Sequence, residues 1–400
     1  MNEDIIKQCV SEYDAPIYLY DKETIVNKFK ILSDVIWEKS NIFYSMKANP
    51  ALEICRLLIE QGSGIEVASA GEMRGAFKAG AKADDIIFTS PGKTKEELEY
   101  AISKNIRVIN VESMFELQLI NDIAKQKKLV TRVALRINPS ATVSNAKIKM
   151  TGVSSQFGIE EEDIDDEFIS QIKLMTNIEV IGIQVYMGTN ILEYADIIKN
   201  TEYVINLAQI IEKKFNSHFS YINFGGGFGV PYFEGDKQLN MEQLKTHMQS
   251  LWDKYYTYLQ DKYIVFESGR YIMSEAGSFI TKVLYAKNSK GKKYLICNGG
   301  SNFHASSAFL GRFVRNNYPM YVLGKRDGLK EKVNVVGPLC TPTDIIGKDV
   351  MLAEDVALGD YIVIEMSGAY GLTYSPCLFL GHKMPLEILY DGEKFAILEN

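Results

Sequence analysis

Residues 41–50 read NIFYSMKANP, an apolar, strand-like run that closes on Lys47 and is followed at once by Ala-Asn-Pro. An ammonium group at the buried end of an apolar strand is costly unless something neutralises it. Seven further segments have the same strand-like form. With IFYSMK (42–47) the series runs GIEVAS (64–69), IIFTS (86–90), RVINVE (107–112), RVALRIN (132–138), VIGIQVYM (180–187), YINFGGG (221–227) and YIVFESG (263–269). Several are apolar on both faces, as parallel strands covered by helices must be. Amphipathic stretches such as ALEICRLLIEQG and GEMRGAFKAG lie between them and end in Gly, a usual helix stop. Eight strand–helix units predict an α/β fold built as a closed (β/α)8 barrel, with an open doubly wound sheet as the alternative.

In such a barrel the C-terminal strand ends share one mouth, where the active site lies. Polar residues gather at those ends: Lys47, Ser69, Thr89, Asn138, Tyr186 with Thr189, Gly225 to Gly227, Glu267 and Arg270. From about residue 276 the pattern changes. FITKVLYA, KYLICN, MYVLG, VNVVG, DVMLAEDV, DYIVIEM and FAILEN are strand-like, with few helical stretches between them. They predict a second, mostly β domain at the C-terminal end. The early PIYLYD also reads as a strand that pairs into it. The expected division is a barrel over 31–275 and a β-rich domain from 1–30 and 276–400.

Composition narrows the function. The 400 residues suit two domains, and 46% apolar content supports a sizeable core. A net charge of -7 with interspersed signs argues against a nucleic-acid surface, which needs a basic stripe. No signal peptide or membrane-length apolar run is present, so a cytoplasmic location is expected. Five scattered cysteines without a CxxC pair, and four dispersed histidines, suggest neither a disulfide framework nor a metal site.

The chemistry rests on several motifs, each with an ordinary reading beside the functional one. Lys47 is either a lysine snorkelling to solvent or an amine that forms an imine with an aldehyde cofactor. NFGGGFG (223–229) follows a strand, and its glycines bare backbone N–H groups that can cradle a phosphate. No Gly-Lys-Ser/Thr follows, so it is not a P-loop. FESGR places Glu267 and Arg270 at the end of the last barrel strand, as a surface pair or as partners of a ring nitrogen and of an anion. GPLCTPTDIIG (337–347) holds Cys340 and Asp344; the cysteine is a small buried hydrophobe or a proton donor. Tyr370, in SGAYGLTYSP, is packing or a phosphate donor, and His304, in GGSNFHASS, is a surface histidine or a substrate contact. Together a strand-end lysine, a glycine loop and a late Glu–Arg describe a pocket for pyridoxal 5'-phosphate.

The motifs YSMKANP, GIEVASAGEM, IIFTSPGKTKEEL, INVESMFEL, LRINP, SQFGI, NFGGGFG, FESGR, GPLC and GAYG run nearly end to end along the chain. In that order and spacing the sequence resembles the fold-type III pyridoxal-phosphate-dependent decarboxylases, the group of diaminopimelate and ornithine decarboxylases. The resemblance implies an alanine-racemase-like barrel, a β domain built from both chain ends, and a head-to-tail homodimer with shared active sites. It implies Lys47 as the cofactor lysine and Glu267 as the partner of the pyridine nitrogen. Gly225, Gly226, Gly227, Thr189, Arg270 and Tyr370 would surround the phosphate. Cys340 would reach the partner subunit's site and help protonate the product. A racemase on the same barrel places an arginine at the ring nitrogen, so Glu267 favours decarboxylation. A non-catalytic regulator of this kind tends to lose cofactor residues that are all present here.

The departures bear on substrate. The family's ring-stacking histidine is replaced by Tyr186 in VYMGTN. After the loop cysteine, diaminopimelate decarboxylases carry a glutamate that helps read the substrate's distal end; here Thr341 and Pro342 follow. NGGSNFHASSAFLGRFVRNNYP stands where the distal-carboxylate arginine segment is expected. These stretches are similar to a side branch of the family that includes a butirosin-pathway enzyme, which decarboxylates a glutamyl group on an acyl carrier protein, and exosortase-associated decarboxylases. Asp344, His304, Arg312 and Arg315 are the candidate substrate contacts, the two arginines for a carboxylate or a carrier's phosphopantetheine, or as plain solvated charges. A free amino acid, as in diaminopimelate-type or ornithine-type enzymes, is the alternative substrate.

Overall fold

The computed structural model describes residues 1–140, 155–308 and 316–399. Arg312 and Arg315 therefore lie outside the described residues. The chain forms two compact units, one of Phe29–Val230 and Gln238–Gly269, the other of Met1–Lys28, Pro231–Lys237 and Arg270–Asn400.

The first unit is the (β/α)8 barrel. Its strands are β1 (Ser40–Ser45), β2 (Gly64–Val67), β3 (Ile86–Thr89), β4 (Val108–Val111), β5 (Thr131–Asn138), β6 (Ile178–Val185), β7 (Tyr221–Asn223) and β8 (Tyr263–Ser268). All pair in parallel, with Glu267 opposite Phe43 where β8 meets β1. The pairing of β4 with β5, Ile109 opposite Val133 and Val111 opposite Leu135, closes the ring and excludes the open sheet. Each of the eight strands falls on one of the predicted segments. Between them run helices such as Leu52–Glu60 and Ala70–Ala79, the second stopped by Gly80 in the left-handed region. Thr94 and Glu97 form a reciprocal capping box at the start of Lys95–Lys104.

Period-two alternation along the strands layers the barrel interior. Phe43, Ile87, Val108, Ala134, Ile181, Tyr221 and Val265 pack into one apolar cluster. Two residues further along most of these strands the same face turns polar: Ser45, Thr89, Asn110, Arg136, Asn223 and Glu267, joined by Glu66 and Gln184 and all buried. This polar layer is the floor of the barrel mouth.

The second unit is the expected mostly β body, a nine-stranded sheet among the described residues. Ile17–Asp21 lies inside it, antiparallel to Gly277–Ser289 on one side and parallel to Leu386–Tyr390 on the other. The early PIYLYD segment thus pairs where the sequence places it, against a strand, Leu386–Tyr390, that the sequence reading does not include.

Candidate active site

Lys47 stands on a single 3-10 turn, Met46–Ala48, directly after β1. Its Nζ donates to Glu66 Oε2 at 2.8 Å and to Oε1 at 3.1 Å. The lysine side chain is 45% exposed whereas Glu66 is 1% exposed. The lysine is thus half-exposed, with a buried carboxylate against its amine. Glu66 answers what neutralises Lys47 in this structure, and GIEVAS did not single it out because the residue is mid-strand, not at a strand end.

Glu267 is buried at the end of β8. Its Oε1 accepts from Asn223 Nδ2 at 2.8 Å and, at longer range, from Gln184 Nε2 at 3.5 Å. Both donors are neutral amides. Burial, with the negative charge of Glu66 added to it, pushes the Glu267 carboxyl up to about 7, against the opposing pull of Lys47 and of the Asn223 hydrogen bond. A buried carboxylate whose side-chain donors among the described residues are neutral is matched to a cationic N–H that shares its proton.

The glycine loop is folded so closely that side chains are excluded. A Cβ at Gly226 would fall 2.5 Å from the Glu267 carbonyl oxygen, and one at Gly225 2.5 Å from that of Val185. Gly225 and Gly227 have φ of 62° and 110°, the region that favours glycine. The Gly225 N–H donates to Asn223 Oδ1 at 2.8 Å, and its carbonyl accepts from the Glu267 N–H at 2.7 Å. Tyr186 packs its ring against this loop, and its hydroxyl lies 3.0 Å from Thr189 Oγ1. Lys47, Tyr186, Thr189, Gly225 to Gly227 and Glu267 are thus gathered at the C-terminal ends of the barrel strands. Beside them, Arg136 pairs with Glu112 at 2.7 Å, and Glu112 also accepts the Gly158 N–H at 2.9 Å.

In the β-rich unit Arg270 is held among phenols. Its Nη1 donates to Tyr232 Oη at 3.1 Å, and its guanidinium lies 4.7 Å from the Tyr370 ring centre. None of these contacts is a carboxylate, so a permanently charged guanidinium is left with capacity for an anion. Tyr370 has φ of 55°, and its carbonyl accepts the Ser306 hydroxyl at 2.7 Å. Cys340 is exposed on its loop.

Asp344 and His304, two of the expected substrate contacts, are both buried. Asp344 is buried, and its Oδ1 accepts from the Ser301 N–H and hydroxyl at 2.7 and 2.8 Å, its Oδ2 from the Leu339 N–H at 2.8 Å. Gly300 and Gly337 press on the same carboxylate. It clasps the Cys340 loop. His304 is 1% exposed, with its ring parallel to Tyr18 at 6.0 Å. Its Nδ1 accepts the Ser307 N–H at 3.2 Å, and its Nε2 lies 2.8 Å from Ser367 Oγ. The Ser367 hydroxyl already donates to the Ile364 carbonyl, so Nε2 carries the proton and both ring nitrogens are used internally.

The residues present fit pyridoxal phosphate. The half-exposed lysine, the buried carboxylate with only neutral side-chain donors among the described residues and the side-chain-free loop match its aldehyde, ring nitrogen and phosphate. Gln184 Oε1 and Asn110 Oδ1, buried in the polar layer, have no hydrogen-bond partner among the described residues. The layer is built to face a polar group.

A family model described as the pyridoxal binding domain of pyridoxal-dependent decarboxylases matches residues 22–274, and the chain belongs to that family. It is a pyridoxal-phosphate-dependent amino-acid decarboxylase. Over 398 residues it is 39% identical to the L-glutamyl-[BtrI acyl-carrier protein] decarboxylase of Niallia circulans, across 98% of this chain and 92% of that one. It is 32% identical to the 2-[(L-alanin-3-ylcarbamoyl)methyl]-2-hydroxybutanedioate decarboxylase of Staphylococcus aureus, across 93% of each. The structure of diaminopimelate decarboxylase from Helicobacter pylori, complexed with L-lysine, superposes with a TM-score of 0.87 at 29% identity, over 98% of this chain and 95% of that one.

Proposed function

We propose that the substrate is an α-aminoacyl group without a distal ammonium, a glutamyl group carried on an acyl carrier protein. The observation that carries this reading is the neutrality of the loop after Cys340. Thr341 and Thr343 bond to each other through their hydroxyls at 2.9 Å, and Asp344 is spent on Ser301 and Leu339. A diamino substrate needs a carboxylate for its far ammonium, and this loop offers none that is uncommitted. The 39% identity to a carrier-protein glutamyl decarboxylase supports the same reading.

Pyridoxal phosphate, when bound, supplies the sink for the electron pair left at Cα as carbon dioxide departs. Lys47 is the covalent anchor, and Glu66 holds the proton of its ammonium whenever that amine is free. Glu267 shares a proton with the ring nitrogen and keeps the sink strong. The amides of Gly225 to Gly227, with Thr189, hold the phosphate, and Tyr186 lies along the loop. Cys340 delivers the proton that replaces the lost carboxylate, acting in the site of a partner copy within a homodimer.

Carbon dioxide release from free diaminopimelate, ornithine, lysine, arginine and glutamate, beside the same acyl groups loaded on a carrier protein, tests the substrate. Release only from loaded carrier is expected. Turnover of a free diamino acid would overturn it and would mean that Thr341 and Tyr186 merely retune an ordinary metabolic decarboxylase.

A further inference from the structure

Asn223 ends β7 with its side chain wholly buried, and every polar atom of that side chain is engaged. Nδ2 donates to Glu267 Oε1 at 2.8 Å and to Tyr221 Oη at 3.0 Å. Oδ1 accepts the Gly225 N–H at 2.8 Å. Gly225 in turn gives its carbonyl to the Glu267 N–H at 2.7 Å. The bonds close a circuit: Asn223 amide, Glu267 carboxylate, Glu267 backbone, Gly225 backbone, Asn223 carbonyl.

We infer that Asn223 is a positioning residue that fixes the Glu267 carboxylate and the first glycine of the loop as one rigid unit, so that the ring-nitrogen and phosphate ends of the cofactor are set together. The inference rests on the reading of Glu267 as the ring-nitrogen partner. The physical case has two parts. With Oε1 occupied by Asn223, Glu267 presents Oε2 in one orientation. With its N–H and carbonyl both tied, Gly225 is held at its left-handed φ, and the following amides keep a fixed aim. Nδ2 also favours the ionised carboxylate, whereas burial and Glu66 oppose it. The charged or titratable groups bearing on Glu267 are Glu66 from β2, Lys47 from the turn after β1, Arg136 from β5 and Tyr221 from β7.

The test is binding of pyridoxal phosphate to the cofactor-stripped full chain, followed by its absorbance across the neutral pH range. Asn223→Ser keeps an oxygen within reach of the Gly225 N–H but cannot reach Glu267. It is expected to weaken cofactor binding by about tenfold and to move the pH midpoint of binding upward. In a Glu267→Gln background the same substitution should leave the midpoint where that background sets it. An unmoved midpoint in Asn223→Ser, or penalties that simply add in the double variant, would overturn the inference and leave Asn223 as packing. Glu267→Gln without any effect on binding would instead remove the reading of Glu267. If Asn223→Ser does not fold, Asn223→Asp keeps shape and acceptor and is read the same way: affinity lost alone, none further with Glu267→Gln, and additivity again counting against the proposal.

Discussion

Glu267 occupies a place where a carboxylate is hard to keep charged, and that has a consequence for stability. Its carboxyl is raised from 4.5 to about 7 by burial and by Glu66. A carboxyl raised on folding stabilises the fold fully below its unfolded value and loses that contribution as pH rises through its folded value. Protein stripped of cofactor should therefore melt at a lower temperature above pH 7 than near pH 4.5, and Glu267→Gln should remove most of that slope. Glu72, raised to about 6 mainly by burial, acts with the same sign and should leave a residual slope in the variant. Melting curves of both proteins across pH decide it; equal slopes would show that Glu267 is ionised at little cost. Asp344 makes a second case. Asp344→Ala strips the Ser301 and Leu339 N–H groups of their acceptor, and the loss should be about 3 kcal/mol in denaturant unfolding. Turnover should fall with it, because the loop carrying Cys340 loses its clasp; a variant with unchanged stability would deny Asp344 that role.

Strands decide both what holds the barrel and what the sequence reveals of it. The β2 entry is shaped by one contact: a Cβ at Gly64 would lie 2.4 Å from the Phe43 ring, which fills the barrel centre. Gly64→Ala should cost about 2 kcal/mol through overpacking. Adding Phe43→Leu should recover part of that loss, and a double-variant cycle in urea that shows plain additivity would refute the clash. The eight strands were legible because each is a short apolar run bounded by helix signals. Lys47, Glu267 and the glycine loop were legible because they fall at strand ends. Glu66, Asn110, Arg136, Gln184 and Asn223 escaped notice inside those runs. The available signal was the period of two, which puts Glu66 on the face of Gly64, Asn223 on that of Tyr221 and Glu267 on that of Val265. The burial of His304 and Asp344 was not legible for a different reason: a polar residue in a Gly-rich loop looks solvent-facing in sequence, while tertiary contacts bury it. Loop polarity alone carries no information on which groups a fold will use to satisfy itself.

At the scale of the whole molecule the reading of Cys340 makes a claim about copy number. If Lys47 serves one site from one copy and Cys340 serves it from another, Lys47→Ala and Cys340→Ala chains damage opposite halves of each site. Mixed and allowed to exchange, two such crippled variants should regain up to about a quarter of wild-type turnover, because half the dimers are mixed and each carries one intact site. No recovery on mixing, with exchange verified by mass, would place both residues in one chain's site. The β-rich sheet has its own long-range consequence. Ile17–Asp21 leaves the ribosome long before one of its two neighbours, Leu386–Tyr390. Hundreds of residues are synthesised while that apolar strand has an open edge, the situation that exposes a nascent chain to misassembly. Within the barrel, β1 likewise waits for β8. Translation thus leaves the apolar strand of the sheet waiting for its partner, which makes Ile17–Asp21 a natural place for a chaperone to act.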